Sequence, residues 1–327
     1  TSRAFWAAAL MRKLLAFSGR QALNPTRVDV GALVNRLAPE LERIVGVPTR
    51  VDVQIAPDLP STTIDAQHLE AALVELATNA AEAMPDGGRL GVEIDFVQAD
   101  ASYVAQHVTI VPGPYLRLSV SDTGVGMTRD VQDLIFEPYF TTGPRSMGTG
   151  LGLPSVYGFI RQSGGGMWVY SEPGRGTAFT MFLPADVASP DVAAPVSRPR
   201  RPVRGETVLV VDDVDAVRHV AAATLRRAGY RVLVAANASE ALYLAGCQRG
   251  PIHVLVTDLV MPGGSGVDLA SELRADRRGL GVVLMSGYPD HATRTRGLVP
   301  AHAPFLQKPF TAEALLDKVA GVLVEAG

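Results

Sequence analysis

Residues 207–213 read TVLVVDD, an apolar strand that runs straight into two carboxylates, Asp212 and Asp213. The form repeats downstream. HVLVT at 253–257 runs into Asp258, GVVLM at 281–285 into Ser286 and Gly287, and PFLQ at 304–307 into Lys308 and Pro309. With RVLVA at 231–235 these are five short apolar strands separated by helix-length segments, the pattern of a doubly wound, five-stranded parallel sheet. In that architecture ligands bind beyond the carboxyl ends of the strands, where all four polar clusters fall. Three carboxylates converging there would repel one another unless a cation intervened, so the electrostatics predict Mg2+ held by Asp212, Asp213 and Asp258.

Residues 184–206, PADVASPDVAAPVSRPRRPVRGE, have no periodic apolar pattern and are crowded with Pro, Ala, Arg and Ser, the composition of a linker. Before them the pattern is that of an α/β sandwich. Residues 1–45 read as helical, 51–55 as a strand and 66–84 as a helix; strands follow near 89–97 and 115–121. A Gly-rich stretch at 122–152 leads into a helix near 153–163 and a hairpin near 167–183, whereas 98–113, with His107, reads as an inserted surface loop. On the 66–84 helix, Glu75, Asn79 and Glu82 share one face of an otherwise apolar surface, so something polar must sit against it. Glycine then recurs at the turns: Asp122-Thr-Gly-Val-Gly126, Gly148-Thr-Gly-Leu-Gly-Leu153 after FEPYFTT at 136–142, and Gly174-Arg-Gly-Thr177. Glycine lets backbone approach a ligand closely, and free N–H groups where such a stretch opens a helix favour phosphate. The spacing fits neither the Walker pattern nor the dinucleotide fingerprint.

A chain of 327 residues, 47% hydrophobic, is long enough for two domains that each bury a core. The net charge of -3, with 33 acidic against 30 basic residues and no basic run interleaved with aromatics, argues against a nucleic-acid partner. The lone cysteine, Cys247, allows no internal disulfide and belongs to no zinc spacing, which fits a reducing, cytoplasmic setting; it is expected to be a buried helical filler. Ala4 to Phe17 is apolar but interrupted by Arg12 and Lys13, too short and too charged to span a bilayer. Trp6, Leu10, Leu14 and Phe17 instead form one face of an amphipathic helix that needs a partner. Because the first residue is Thr, the chain is expected to be a piece of a longer protein, whose membrane anchorage stays open.

In their order and spacing, the Asn79 helix and the glycine boxes resemble the catalytic domain of sensor histidine kinases, within the wider ATPase family that includes gyrase, heat-shock protein 90 and mismatch-repair ATPases. The resemblance covers residues 1–183 and implies an ATP site. Asn79 would hold Mg2+ against the triphosphate, and Asp122 would accept a hydrogen bond from the adenine amino group, with Gly124 and Gly126 making room for the base. Gly148, Gly150, Leu151 and Gly152 would shape a lid over the phosphates, Thr142 would lie among the nucleotide contacts, and Thr177 would close the far side of the adenine pocket. Glu75, where many such kinases carry a second Asn and the hydrolysing relatives a Glu, would polarise the attacking group. The family commonly has Lys after the paired threonines; here Gly143 stands there, leaving Arg145 as the alternative phosphate contact.

Residues 205–327 resemble the receiver domain of two-component systems on the four strand-end clusters quoted above. The resemblance implies that Asp258 takes the phosphoryl group as an acyl phosphate, that Asp212, Asp213, Asp258 and the Val260 carbonyl hold Mg2+, and that Lys308 and Ser286 contact phosphoryl oxygens. Ser286 and Phe305 would form the switch pair, and Met261-Pro262-Gly263 the turn after the acceptor strand.

The division expected is 1–45, partial dimerisation and phosphoacceptor helices; 46–183, ATP-binding domain; 184–206, linker; 207–327, receiver. The function expected is that of a hybrid sensor histidine kinase passing phosphate to its own Asp258, with a phosphorylated histidine domain in cis or trans and a downstream response regulator or phosphotransfer protein as partners, and a homodimer in the full-length form. None of His68, His107, His219, His253, His291 and His302 has the acceptor context, so the acceptor helix is expected upstream of Thr1. A degenerate ATP-binding scaffold with a working receiver and a gyrase-type ATPase stay open beside it.

Overall fold

A computed structural model describes residues 23–106, 110–142, 149–187, 205–261, 264–277, 279–289, 293, 299 and 303–325. The expected amphipathic helix at Trp6 to Phe17, Gly143, Arg145, Gly148, the Pro262-Gly263 turn, His107, His291, His302 and most of the linker lie outside the described residues. The described residues form two units, 23–98 with 113–187, and those of 99–112 with 205–325.

The first unit runs β1 (Thr26–Val28), α1 (Val30–Val45), β2 (Arg50–Ile55), β3 (Thr62–Ile64), α2 (Ala66–Ala83) and β4 (Arg89–Ala99). After the intervening α3 (Ala101–Ala105) come β5 (Gly113–Asp122), α4 (Arg129–Gln132), α5 (Gly152–Gln162), β6 (Gly166–Glu172) and β7 (Gly176–Pro184). Five strands make one mixed sheet in the order β2-β4-β5-β7-β6, while β1 pairs with β3 separately. Helices start where short acidic side chains can cap them: Asp29 accepts from Ala32 N at 2.9 Å, and Asp65 from Gln67 N and His68 N at 3.0 and 3.1 Å. From those caps the apolar period points inward, with Leu33, Val34, Leu37 and Leu41 on α1 and Leu69, Leu73, Leu76 and Ala80 on α2. They meet Leu90, Val92 and Ile94 of β4 and Leu116, Leu118 and Val120 of β5, alternate residues on one sheet face. The opposite face carries polar pairs, Arg117 with Asp95 and Ser119 with Thr180.

The sheet, its helices and the hairpin match the expected sandwich. Residues 26–45 are not helical throughout, because Thr26–Val28 is held as a strand against Thr62–Ile64. Helix α1 packs on α2 within the same core as the sheet, so its apolar face is already covered. The first residues of the proline-rich stretch are tied down too: Asp186 N donates to Ser61 O at 2.7 Å.

The second unit contains β8 (Thr207–Val211), α6 (Asp215–Arg227), β9 (Arg231–Ala235), α7 (Ala238–Cys247), β10 (Val254–Asp258), the short pair β11 (Val260–Met261) and β12 (Gly264–Ser265), α8 (Gly266–Asp276), β13 (Gly281–Ser286), β14 (Phe305–Gln307) and α9 (Ala312–Glu325). Its five-stranded sheet is ordered β14-β13-β10-β8-β9 with every pair parallel. Alternate strand residues feed two cores: Leu209, Leu255 and Leu284 pack with α7 and α8, and Val208, Val256 and Met285 with α6 and α9. This is the doubly wound sheet expected from TVLVV and its repeats.

Two further expectations fail. Cys247 is exposed, not buried, because it falls in the last turn of α7, past the inward-facing Ala241 and Ala245. Residues 98–113 are not a plain surface loop, since they include α3 with a buried Tyr103, followed by a buried Gln106. Among the described residues no helix is long and apolar enough to cross a membrane.

Leu118, fully buried in the first core, sets a stability test. Leu118→Ala is expected to destabilise this unit by roughly 2–5 kcal/mol through lost burial and a residual cavity. Urea denaturation followed by Trp168 fluorescence, from strand β6 of the same unit, measures it.

Candidate functional site

At the end of β5, Asp122 is buried, and its Oδ1 accepts from Gly124 N at 2.8 Å and from Thr177 N at 3.2 Å. These two backbone donors fix the carboxylate in one orientation at the meeting point of β5 and β7. Thr177 is buried as well, its Oγ1 2.9 Å from Ser171 Oγ, which in turn donates to Gly176 O and accepts from Met127 N, each at 2.9 Å. Ser171 therefore braces the pocket wall. Sequence reading missed it because a lone serine in a strand carries no spacing signal.

Helix α2 links this wall to the glycine-rich lid. At its C-terminal end Ala83 O accepts from Val125 N at 3.0 Å. Gly126, at φ +65, could not carry a side chain, because a Cβ there would lie 1.9 Å from Glu172 O. The room expected for the base at Gly126 is thus used by protein backbone. Two turns up the helix, a Cβ on Gly152 would fall 1.6 Å from Glu75 Oε1, so the bare glycine is what allows the Glu75 carboxylate to rest at the start of α5. Between these contacts lies Asn79, whose Nδ2 is buried without a hydrogen-bond partner among the described residues. An amide whose nitrogen is unpartnered can turn its oxygen toward a hard cation, so the residue fits an ATP-bound Mg2+.

Of the lid residues, Leu151 is fully buried, and Gly150 O accepts from Tyr139 N at 2.9 Å. Thr142 is exposed, and none of its described contacts joins it to Asp122 or Asn79. Glu82, the third polar residue on the α2 face, is also exposed.

The second cluster is more compact. One carboxylate oxygen each from Asp212, Asp213 and Asp258 lies within 4.8 Å of the others. Asp212 and Asp258 are buried at the ends of β8 and β10, with Asp213 at the rim. Lys308 Nζ sits between the buried pair, 2.7 Å from Asp258 Oδ2 and 2.6 Å from Asp212 Oδ2. The cation that the repulsion argument demanded is thus in part the protein's own ammonium.

One ammonium does not offset the whole cluster. Burial pushes the Asp258 carboxyl up to about 7, Asp212 adding to the rise and Lys308 opposing it. Asp212 is raised for the same first reason, with Lys308 again opposing. Burial works against the Lys308 charge, but Asp258 and Asp212 outweigh it and lift the group to about 12. Asp258 Oδ1 is buried with no hydrogen-bond partner among the described residues. A site with three carboxylates, one ammonium and an unpartnered carboxylate oxygen fits a divalent cation with oxygen ligands.

Around it, Ser286 is buried at the end of β13, where its Oγ accepts from Tyr288 N at 3.2 Å and its carbonyl from Lys308 N at 2.7 Å. Val260 lies in the short β11, paired with Ser265. Phe305 is already buried in the core on β14, opposite Leu284.

The family described as histidine kinase-, DNA gyrase B-, and HSP90-like ATPase matches residues 64–187, and the response regulator receiver domain matches residues 208–320. Sensor kinase CckA of Brucella abortus (strain 2308) is 36% identical over 325 residues, 97% of this chain and 34% of that protein. Sensor histidine kinase AruS of Pseudomonas aeruginosa is 31% identical over 237 residues, 71% of this chain and 22% of that protein. The chain thus spans about a third or less of the length of these relatives. A crystal structure of full-length ShkA in complex with AMPPNP aligns over 96% of this chain and 62% of that one, at 24% identity and a TM-score of 0.44. The chain therefore belongs to the histidine kinase-, gyrase B- and HSP90-like ATPases through its first unit and to the response regulator receivers through its second, the domain order of a two-component histidine kinase with a receiver of its own.

Proposed function

We propose that this chain is the ATP-binding and phosphate-accepting part of a hybrid sensor kinase, in which a phosphoryl group drawn from ATP reaches Asp258 by way of a histidine. The observation that carries the reading is Asp258 itself, buried, paired with Lys308 through one oxygen and unpartnered at the other. That second oxygen attacks phosphorus; the bond from phosphorus to the imidazole nitrogen breaks, its electrons stay on the nitrogen, and an acyl phosphate forms. Lys308 neutralises the charge on the transferred group, and Ser286, at the neighbouring strand end, takes one of its oxygens. Asp212, Asp213 and Asp258, with the Val260 carbonyl, would hold Mg2+, which would supply further charge neutralisation. In the first unit, Asp122 reads the adenine amino group and Asn79 holds the metal of Mg-ATP. The position of Glu75 against Gly152 favours a role in holding the start of α5, where the lid ends, over activation of water.

The described histidines are occupied otherwise. His68 pairs with Asp65 at 3.0 Å and stacks on Phe159, His253 Nδ1 accepts from Thr207 N, and His219 Nδ1 lies 2.7 Å from Asp215 O. In this reading the chain by itself binds ATP and accepts phosphate without phosphorylating itself, and the phosphohistidine is supplied by another segment or another molecule. Its partners are that histidine domain and a downstream response regulator or phosphotransfer protein; the whole protein is a homodimer.

Asn79→Ala and Asp122→Ala are each expected to abolish binding of a fluorescent ATP analogue in the presence of Mg2+; unchanged affinity in both rules out the nucleotide assignment. With a phosphohistidine protein or acetyl phosphate as donor, acid-labile label should appear on Asp258 and vanish in Asp258→Asn, whereas label surviving that change contradicts the acceptor assignment. Steady release of phosphate from ATP with no phosphoprotein formed would instead support the ATPase alternative.

The raised Asp258 group also gives a pH dependence. Between its ordinary value of 3.8 and about 7 the folded state holds a proton there that the unfolded state has lost, so stability from this group is full at low pH and is lost as pH rises through about 7. Lys308 stays charged throughout that window. Without divalent cation, Tm should be lower at pH 8 than at pH 6, Mg2+ should raise it more at pH 8, and Asp258→Asn should flatten the difference.

A further inference from the structure

The chain leaves the mixed sheet after β4, and the described residues of 99–112 belong to the second unit. Their side chains are used in ways that a solvated loop has no need for. Asp100 caps α3, accepting from Tyr103 N at 2.7 Å and Ser102 Oγ at 2.6 Å. The same carboxylate and the Ser102 hydroxyl also accept from Ala312 N, at 3.2 and 3.0 Å, so this one corner caps both α3 and the start of α9. Gln106 is only 6% exposed, and its amide pairs with both backbone groups of one residue: Nε2 donates to Phe310 O at 2.9 Å, and Phe310 N donates to Oε1 at 3.4 Å. Burying a primary amide is costly unless its groups are matched, and here the match is to a residue two positions beyond Lys308. Lys308 is itself pinned at both ends, by Ser286 O on its backbone and by Asp212 and Asp258 on its ammonium.

We propose that residues 99–106 form a strap that docks on the Lys308–Ala312 loop and reads the state of the phosphoacceptor site. The proposal rests on Asp258 being that acceptor. When Asp258 carries a phosphoryl group, the Lys308 ammonium exchanges its contacts to Asp212 and Asp258 for a phosphoryl oxygen. The loop that follows then shifts, and the fit of Phe310 to Gln106 and of Ala312 to Asp100 and Ser102 changes with it. Sensing lies in backbone hydrogen bonds that only one loop position satisfies, so a small displacement at Lys308 becomes a change in protection of the strap.

The test is amide hydrogen exchange on the whole chain in Mg2+, with and without acetyl phosphate, with phosphoryl incorporation at Asp258 followed by mass in the same samples. Incorporation is expected to change exchange in peptides covering 100–106 and 310–314 together. Gln106→Leu should speed exchange at 310–314 roughly tenfold without phosphodonor, the loss of two paired hydrogen bonds, and should remove the response of 100–106. Ser102→Ala keeps the buried amide and should shift Ala312 in the same direction by less, which guards against a variant that fails to fold. Full incorporation at Asp258 with unchanged exchange in 100–106 overturns the strap and leaves the acceptor assignment standing. No incorporation at Asp258 overturns both.

Discussion

The ammonium of Lys308 between Asp212 and Asp258 is the constraint on which the second unit turns. It sits where two strand ends deliver Asp212 and Asp258 into a buried space, and without a positive charge the two carboxylates could not stay that close in their ionised forms. Yet Asp258 remains raised to about 7, so the pair is under-compensated rather than neutralised. The same imbalance goes with a site that fits a divalent cation and with a carboxylate oxygen that has no partner among the described residues. A fully paired Asp258 would be a structural ion pair.

That arrangement was largely legible in the sequence, because a parallel sheet puts each strand's next residue at one edge and TVLVVDD, HVLVTD, GVVLMS and PFLQK end in the residues that matter. What could not be read was who supplies the compensating charge. Strand register shows that Lys308 reaches the edge, but not that its side chain bridges two aspartates. In the nucleotide half the boxes were legible as close-approach turns, while the reason for individual glycines was not. At Gly126 the neighbour is the Glu172 carbonyl and at Gly152 it is the Glu75 side chain, both distant in sequence. Residues 98–113 misled for a simpler reason. The burial of Gln106 depends on Phe310, 204 positions away, which no local pattern announces.

The two units use helices differently. In the first, α2 carries three groups along one edge: Glu75 against Gly152, Asn79 with an amide nitrogen unpartnered among the described residues, and the Ala83 carbonyl on Val125 N. Its packing face is fixed by Leu69, Leu73 and Leu76, so the functional face is aimed by the core and not by its own contacts. In the second, the helices cover the sheet, and the acidic cluster sits at strand ends. Strand β5, which follows residues 99–112 directly, ends in the buried Asp122.

The last turn of α7 leaves the chain's one thiol in solvent at Cys247. With no second cysteine among these residues, a disulfide between two copies of them would be a covalent tether between receivers. Such a species would mimic a dimer on a sizing column while owing nothing to any dimerising helix, and a reducing agent would dissolve it.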